Sequence, residues 1–278
     1  MTGNATIRQG AEEQIKALEK QFECRIALSV RDGDSTETML SYRGAELFHA
    51  ASTMKVPVMV EVFRQAERGL LRMDDMVLLD PHFRSMIDDS IYEADAAKYL
   101  EPKLGTSVTI LELVEQMIVV SDNLATNLLL TRIRPQAVTA MLREQGIRDG
   151  YILRCLMDIP AYEAGVSNRL TADGLTQLMQ AINQDKVASP ESCREMRRIL
   201  EAQEYRDMIP AGLPEDIRVG NKTGSITAVA HDTAIVNTPT GPYYVSIMMD
   251  GLAKETKGSD IAPTISRMVF EMRNGLRR

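Results

Sequence analysis

Cys24-Arg25-Ile26-Ala27-Leu28-Ser29-Val30-Arg31 alternates large apolar side chains with polar or small ones. A period of two is that of a half-buried strand, with one face on a core and one toward water. Asp32-Gly33 follows as a turn, and Thr38 to Tyr42 can return as the second strand of a hairpin. Just upstream, Ile15, Leu18 and Phe22 share one face of an amphipathic helix. In the other direction the strand period returns only late in the chain. It reappears at Val219 to Thr227, at Thr233 to Asn237 and, after the Pro239/Gly241/Pro242 turn, at Tyr243 to Met249. A closing helix carries Ile261, Ile265, Met268, Val269 and Met272 on one face. Between these ends, from Thr53 to about Gln203, the spacing is mainly helical. Thr109 with Glu112 reads as a capping box ahead of Ile110, Val114, Met117 and Ile118, and Leu175, Leu178, Met179 and Ile182 continue the pattern. The expected class is α+β: an antiparallel sheet built from both chain ends and flanked by helices, with an inserted all-helical domain. The expected division is 1–52 plus 205–278 for the sheet domain and 53–204 for the helical one, with a cleft between them as the natural place for a site.

Composition narrows the function. The chain has 278 residues, 44% of them hydrophobic, enough for a sizeable core. A formal charge of -7 and a pI near 5.2, with no Lys/Arg block, leave no footprint for nucleic acid or an anionic membrane. Met1 to Arg8 contains no apolar leader core, and the apolar run Val56 to Phe63 is interrupted by Glu61 and is too short for a membrane span. A soluble chain is expected, its compartment open between the cytoplasm and, with a leader removed, the periplasm or exterior. Oligomeric state is not legible. Cys24, Cys155 and Cys193 are odd in number and widely spaced, so they read as reduced thiols rather than disulfides or a zinc site. No cofactor or metal is expected, and no His-x-His-x-Asp cluster is present.

Three short motifs carry the chemistry. In Ala51-Ser52-Thr53-Met54-Lys55-Val56-Pro57, where strand pattern gives way to helix, Ser52 and Lys55 lie three residues apart and share a helical face. A serine hydroxyl becomes a useful nucleophile when a neighbouring base takes its proton, and a lysine among other cations can be that base. Ser121-Asp122-Asn123 falls between two apolar helices, with Asp122 suited to a helix cap. Lys222-Thr223-Gly224-Ser225 sits on a strand-like segment after the helical region.

In this order the three motifs are the signature of penicillin-interacting serine enzymes, and the chain resembles the class A β-lactamase family. That family lies within the superfamily that also holds D-alanyl-D-alanine peptidases, and the resemblance covers nearly the whole chain. It implies Ser52 as nucleophile, Lys55 as its activating partner and Ser121 as the proton relay to the leaving nitrogen. It implies Asn123 as a ligand for the substrate amide side chain, and Lys222 with Thr223 as ligands for its carboxylate. The backbone N–H groups of Ser52 and Ser225 would form the oxyanion hole. The implied partner is a small-molecule β-lactam or peptide-like substrate.

Two departures stand out. The family hydrolyses its acyl-enzyme with a loop glutamate, but here Leu156 to Asn168 is shortened. With Asp158 aligned to the aspartate that opens that loop, Ala161 falls where the glutamate belongs. Glu163 is either a substitute that positions water or a solvated loop carboxylate, Asp158 has the same two readings, and Asn168 is a candidate cap for the next helix. The second departure is Ala230-His231-Asp232-Thr233, where many relatives carry an arginine. His231 and Asp232 read as a hydrogen-bonded pair at a strand start, or His231 as a proton relay. His49 and His82 form no triad. Three functions remain: a β-lactamase, a D-alanyl peptidase or esterase, and a penicillin-binding sensor or trap that acylates without efficient turnover.

Overall fold

The strand Arg25–Asp32 (β1) does not face water on one side: Ile26, Ala27, Leu28, Ser29 and Val30 are all buried. In the computed structural model, which describes residues 3–276, β1 is an inner strand of a five-stranded sheet. Thr38–Tyr42 (β2) flanks it, and Arg218–Ile226 (β3), Val229–Thr238 (β4) and Gly241–Asp250 (β5) complete the order β2-β1-β5-β4-β3. Every neighbouring pair is antiparallel, with Leu28 opposite Ile247 and Thr233 opposite both Ser246 and Lys222. The small residues Ala27 and Ser29 suit the second buried face. Thr176 packs there, its hydroxyl oxygen 3.3 Å from Ser29 O and 2.7 Å from Ser246 Oγ.

The chain forms two compact units. One comprises Met1–Thr53, Thr171–Gln180 and Tyr205–Arg278 and holds the sheet. Thr171–Gln180 groups with it through Thr176 and through Gln180, whose amide nitrogen donates to Gly33 O and Ser35 O at the β1–β2 turn. On the other sheet face, Ile15 of helix Gly3–Phe22 and Ile261, Ile265 and Val269 around helix Ala262–Leu276 join Ile26, Leu28, Ala234, Val236, Val245 and Ile247 in one apolar core. Met1, Thr2, Arg277 and Arg278, which the N-terminal reading and the expected domain ends take in, lie outside the described residues.

The second unit, Met54–Leu170 with Ala181–Glu204, is helical apart from short hairpin pairings such as His82–Arg84 with Ile91–Glu93. Helix Lys55–Glu67 has its first nine residues, Lys55 to Phe63, buried, which is the pattern of a central helix. Thr109 caps helix Ile110–Val119 by accepting from Glu112 N at 3.1 Å. The Glu112 carboxylate engages Lys103 Nζ at 2.5 Å. No helix among the described residues is long and apolar enough to cross a membrane.

Candidate active site

Lys55 opens helix Lys55–Glu67 and is fully buried. A buried amine has to be met by hydrogen-bond partners. Its Nζ donates to Ser121 O at 2.7 Å, to Asn123 Oδ1 at 2.9 Å and to Ser121 Oγ at 3.2 Å. Ser121 can supply both oxygens because it takes a φ of 59°, a left-handed conformation that costs a non-glycine residue on the order of 1–3 kcal/mol. Strain of that kind gathers where geometry is held for a purpose. Asp122 then starts helix Asn123–Ile133, its carboxylate accepting from Ala125 N at 2.7 Å and Ala97 N at 2.5 Å. Asn123 is held at both ends of its amide, by Lys55 at Oδ1 and by Asp95, which accepts from Nδ2 at 3.0 Å. Lys55, Ser121 and Asn123, far apart in sequence, thus form one cluster in the helical unit.

In the sheet unit the nucleophile candidate lies on a constrained turn. Ser52 is part of a short 3-10 turn, Ala51–Met54, that runs directly into helix Lys55–Glu67. Ala51 has a φ of 43° and donates its N–H to His49 Nδ1 at 3.1 Å. The β3 strand passes close by. A Cβ on Gly224 would lie 2.8 Å from Ser52 N and 2.9 Å from Thr53 N, so only glycine lets the strand approach the turn. Backbone cannot swing aside as a side-chain tip can, so Gly224→Ala is expected to push strand and turn apart. Acylation should slow by about tenfold or more if a reaction depends on that spacing, read as the rate of adduct formation at Ser52.

His231 and Asp232 lie inside β4 rather than at its start, and they do not pair with each other. Both are fully buried. His231 Nε2 lies 2.7 Å from His49 O, and its Nδ1 lies 2.8 Å from Ala230 O and 3.0 Å from Met249 N. Burial pushes its imidazole down to about 4, so the ring is neutral near pH 7 and is spent on holding His49 against the sheet. This argues against a proton relay. It also sets a pH dependence: an unfolded histidine binds its proton near 6.5, so the stability it contributes is full above that pH and is lost as pH falls toward 4. The loss should reach about 3 kcal/mol. Burial raises Asp232, which gives the opposite slope. Comparing wild type with His231→Gln cancels that common part, and urea midpoints between pH 4 and 7 should converge as the pH falls.

Asp232 accepts from Ile209 N at 2.9 Å and from Asn221 Nδ2 at 3.0 Å. On β3, opposite Thr233, Lys222 is fully buried and donates from Nζ to Thr223 O at 2.9 Å. Burial lowers the Lys222 ammonium and Asp232 pulls it back.

The shortened loop contains no buried carboxylate free for chemistry. Asp158 is buried, caps helix Ile159–Glu163 through Ala161 N at 3.1 Å, and also accepts from Ser85 Oγ at 2.7 Å and Met86 N at 3.0 Å. Glu163 is exposed at the end of that helix, whereas Ala161 is buried. Asn168 is not a cap. It accepts from Leu153 N and Arg154 N and donates to Arg154 O and Met54 Sδ, tying the loop's two ends together, while Thr171 caps the next helix through Gly174 N at 3.0 Å. Sequence reasoning gave no weight to His49 or Asp95, and it overlooked Asn127, which brackets Leu156 through both its amide atoms. Asn127 had a signal, since it stands one helical turn beyond Asn123. Asp95 had none. His82 is exposed and pairs with Asp80 at 2.7 Å. Among the described residues, no group of three or more His, Cys, Asp or Glu side chains is gathered to hold a metal.

A family model described as the β-lactamase enzyme family matches residues 10–272. A β-lactamase of Streptomyces albus G is 28% identical over 241 residues, which cover 83% of this chain and 73% of that protein. Among solved structures, that of PBP-A superposes with a TM-score of 0.81 at 26% identity, covering 96% of each chain. The β-lactamase from Sphaerobacter thermophilus DSM 20745 gives a TM-score of 0.80 at 28% identity, covering 96% of this chain and 97% of that one.

Proposed function

The chain belongs to the β-lactamase enzyme family, and we propose that within it this protein is a serine hydrolase, acylated on Ser52 by β-lactams or related amides, that releases its acyl group slowly. Ser52 Oγ attacks the amide carbonyl carbon while its proton passes toward Lys55. The N–H groups of Ser52 and Ser225 take the charge that develops on the carbonyl oxygen. The C–N bond then breaks, and Ser121 Oγ, bonded to the same amine, returns a proton to the leaving nitrogen. Lys222 and Thr223 receive the substrate carboxylate, and the amide of Asn123 receives its acylamino group. The start of a long helix at Lys55 adds a favourable dipole for negative charge near Ser52.

The observation that carries acylation is the Lys55–Ser121–Asn123 cluster, a fully buried amine on two hydroxyl- and amide-bearing residues with one of them strained to reach it. Slow release is supported by the loop. Hydrolysis of the ester needs a base to aim water at it, and Asp158 is already bonded three ways while Glu163 is exposed.

Intact-protein mass spectrometry after addition of benzylpenicillin tests both halves. The wild type should gain one penicilloyl mass that persists for hours, and Ser52→Ala should gain none. An adduct on Ser52→Ala, or none on the wild type, defeats the acylation reading. Glu163→Gln should leave the adduct's lifetime unchanged. A lifetime of seconds that Glu163→Gln prolongs would instead favour an efficient β-lactamase with Glu163 as its base. Steady release of D-alanine from a D-alanyl peptide would place the natural reaction among the peptidases.

A further inference from the structure

A cavity of about 610 Å³ lies at the end of the β3–β4 hairpin and opens onto Thr223 and Ser225. Its floor is apolar, made by the buried Met208, Ala230 and Leu252. Gly258 packs closely onto that floor: a Cβ there would lie 2.6 Å from Met208 Sδ and 2.8 Å from Ala230 Cβ, so the lysine-bearing segment reaches the floor only with glycine at this position. Lys254 and Lys257, from the segment between β5 and helix Ala262–Leu276, stand on its wall, where Asp207 is the single acidic residue. Both lysines are exposed, and neither has an ion pair among the described residues. The backbone beneath one of them is fixed, since Lys257 N donates to Asp260 Oδ2 at 2.7 Å.

In a protein of net charge -7, two unneutralised lysines beside an apolar hollow are a local reversal of sign. Exposed lysines ordinarily carry little binding energy. Here they face a ligand whose apolar part is desolvated, which lowers the local screening and strengthens their attraction for an anion. The hollow is also continuous with the strand residues assigned to the substrate carboxylate and oxyanion, so an occupant can be a covalent extension of the reacting molecule. Binding energy from such a remote part can be used to position the reacting centre.

We propose that this groove is a subsite for a short apolar arm ending in a carboxylate on the acylating substrate, with Met208, Ala230 and Leu252 taking the arm and Lys254 and Lys257 its terminal charge. The inference rests on the acylation reading above and names the class of substrate it prefers: an acyl donor with a second carboxylate, some carbons away from the one held by Lys222 and Thr223.

The test compares two cephalosporins that differ only at the end of the 7-acyl arm, one glutaryl and one pentanoyl, by the second-order rate constant for acylation of the intact protein. The glutaryl compound should acylate about tenfold faster at low salt, an advantage that shrinks as salt is raised. The ratio should fall to near one in Lys254→Ala/Lys257→Ala. An equal rate for the two arms, or a ratio that the double variant leaves intact, overturns the subsite. An independent arm separates this from failure of the acylation reading. NMR titration of Ser52→Ala with 4-(phenylcarbamoyl)butanoate, which cannot acylate, should shift the amides of Ile226, Ala230, Leu252 and Lys257. Those shifts without any adduct on the wild type would retain the groove as an anion-and-apolar site and discard the acylation. Shifts elsewhere, or none, would discard the groove even where both cephalosporins react.

Discussion

Lys55→Ala is expected to lower the rate constant for acylation of Ser52 by benzylpenicillin by about 100-fold or more, the scale on which loss of a general base is felt. Truncation to alanine also removes the donor for Ser121 O, Ser121 Oγ and Asn123 Oδ1, leaving those acceptors without that partner. The loss therefore mixes chemistry with geometry, and a second variant is needed to part them. Lys55→Arg keeps a positive charge and hydrogen-bond donors but cannot give up its proton at any accessible pH. If Lys55 serves as a base, arginine should be nearly as slow as alanine while retaining more of the native stability. If it serves only to hold Ser121 and Asn123 by charge, arginine should recover a substantial part of the rate. Time-resolved mass spectrometry of the Ser52 adduct, with thermal melts of each variant, decides between them.

Arg273→Ala should be the most damaging single change to the sheet unit, at about 3–5 kcal/mol, as for loss of one partner of a buried ionic network. Arg273 is fully buried on the closing helix. Its Nε donates to Asp32 Oδ1 at 2.7 Å, Nη1 to Thr238 Oγ1 at 2.9 Å and to Thr240 Oγ1 at 3.0 Å, and Nη2 to Gly241 O at 2.9 Å. One guanidinium thus fastens the end of β1 to the β4–β5 turn, at the place where Gly33 N also donates to Pro242 O at 3.0 Å. Alanine would leave the Asp32 carboxylate and three turn acceptors facing a void. Lysine keeps the charge but not the planar fork, so Arg273→Lys should recover only part of the loss. Urea denaturation measures both. A midpoint unchanged by Arg273→Ala would mean that water replaces the guanidinium without cost.

The order of elements was legible because period is a local property. The alternation through β1, the β4 and β5 patterns and the helical spacing around Met117 each need only a few neighbours to be read, and the hairpin at Asp32-Gly33 follows from its turn residues. The three motifs were legible for the same reason. Errors arose where a second layer intervenes. Ala27 and Ser29 look like the wet face of β1 but are buried, and the Ser29 carbonyl accepts from Thr176, 147 residues away. His231 and Asp232 look like a polar strand start but are strand interior, because β4 begins earlier than its apolar pattern suggests.

Sequence alone therefore determined the α+β class and the order and spacing of the motifs that contain Ser52, Lys55, Ser121, Asn123 and Lys222. Tertiary structure decided what those residues are bonded to. It brought Ser121 and Asn123 onto Lys55, committed Asp158 to Ser85 and Met86, neutralised His231 behind His49 and left Lys254 and Lys257 beside an open hollow. Each of these depends on which distant segment supplies a donor, an acceptor or bulk, and on how much water the packing leaves. Hydrogen bonds and desolvation are properties of neighbours in space, and a one-dimensional pattern holds only neighbours along the chain.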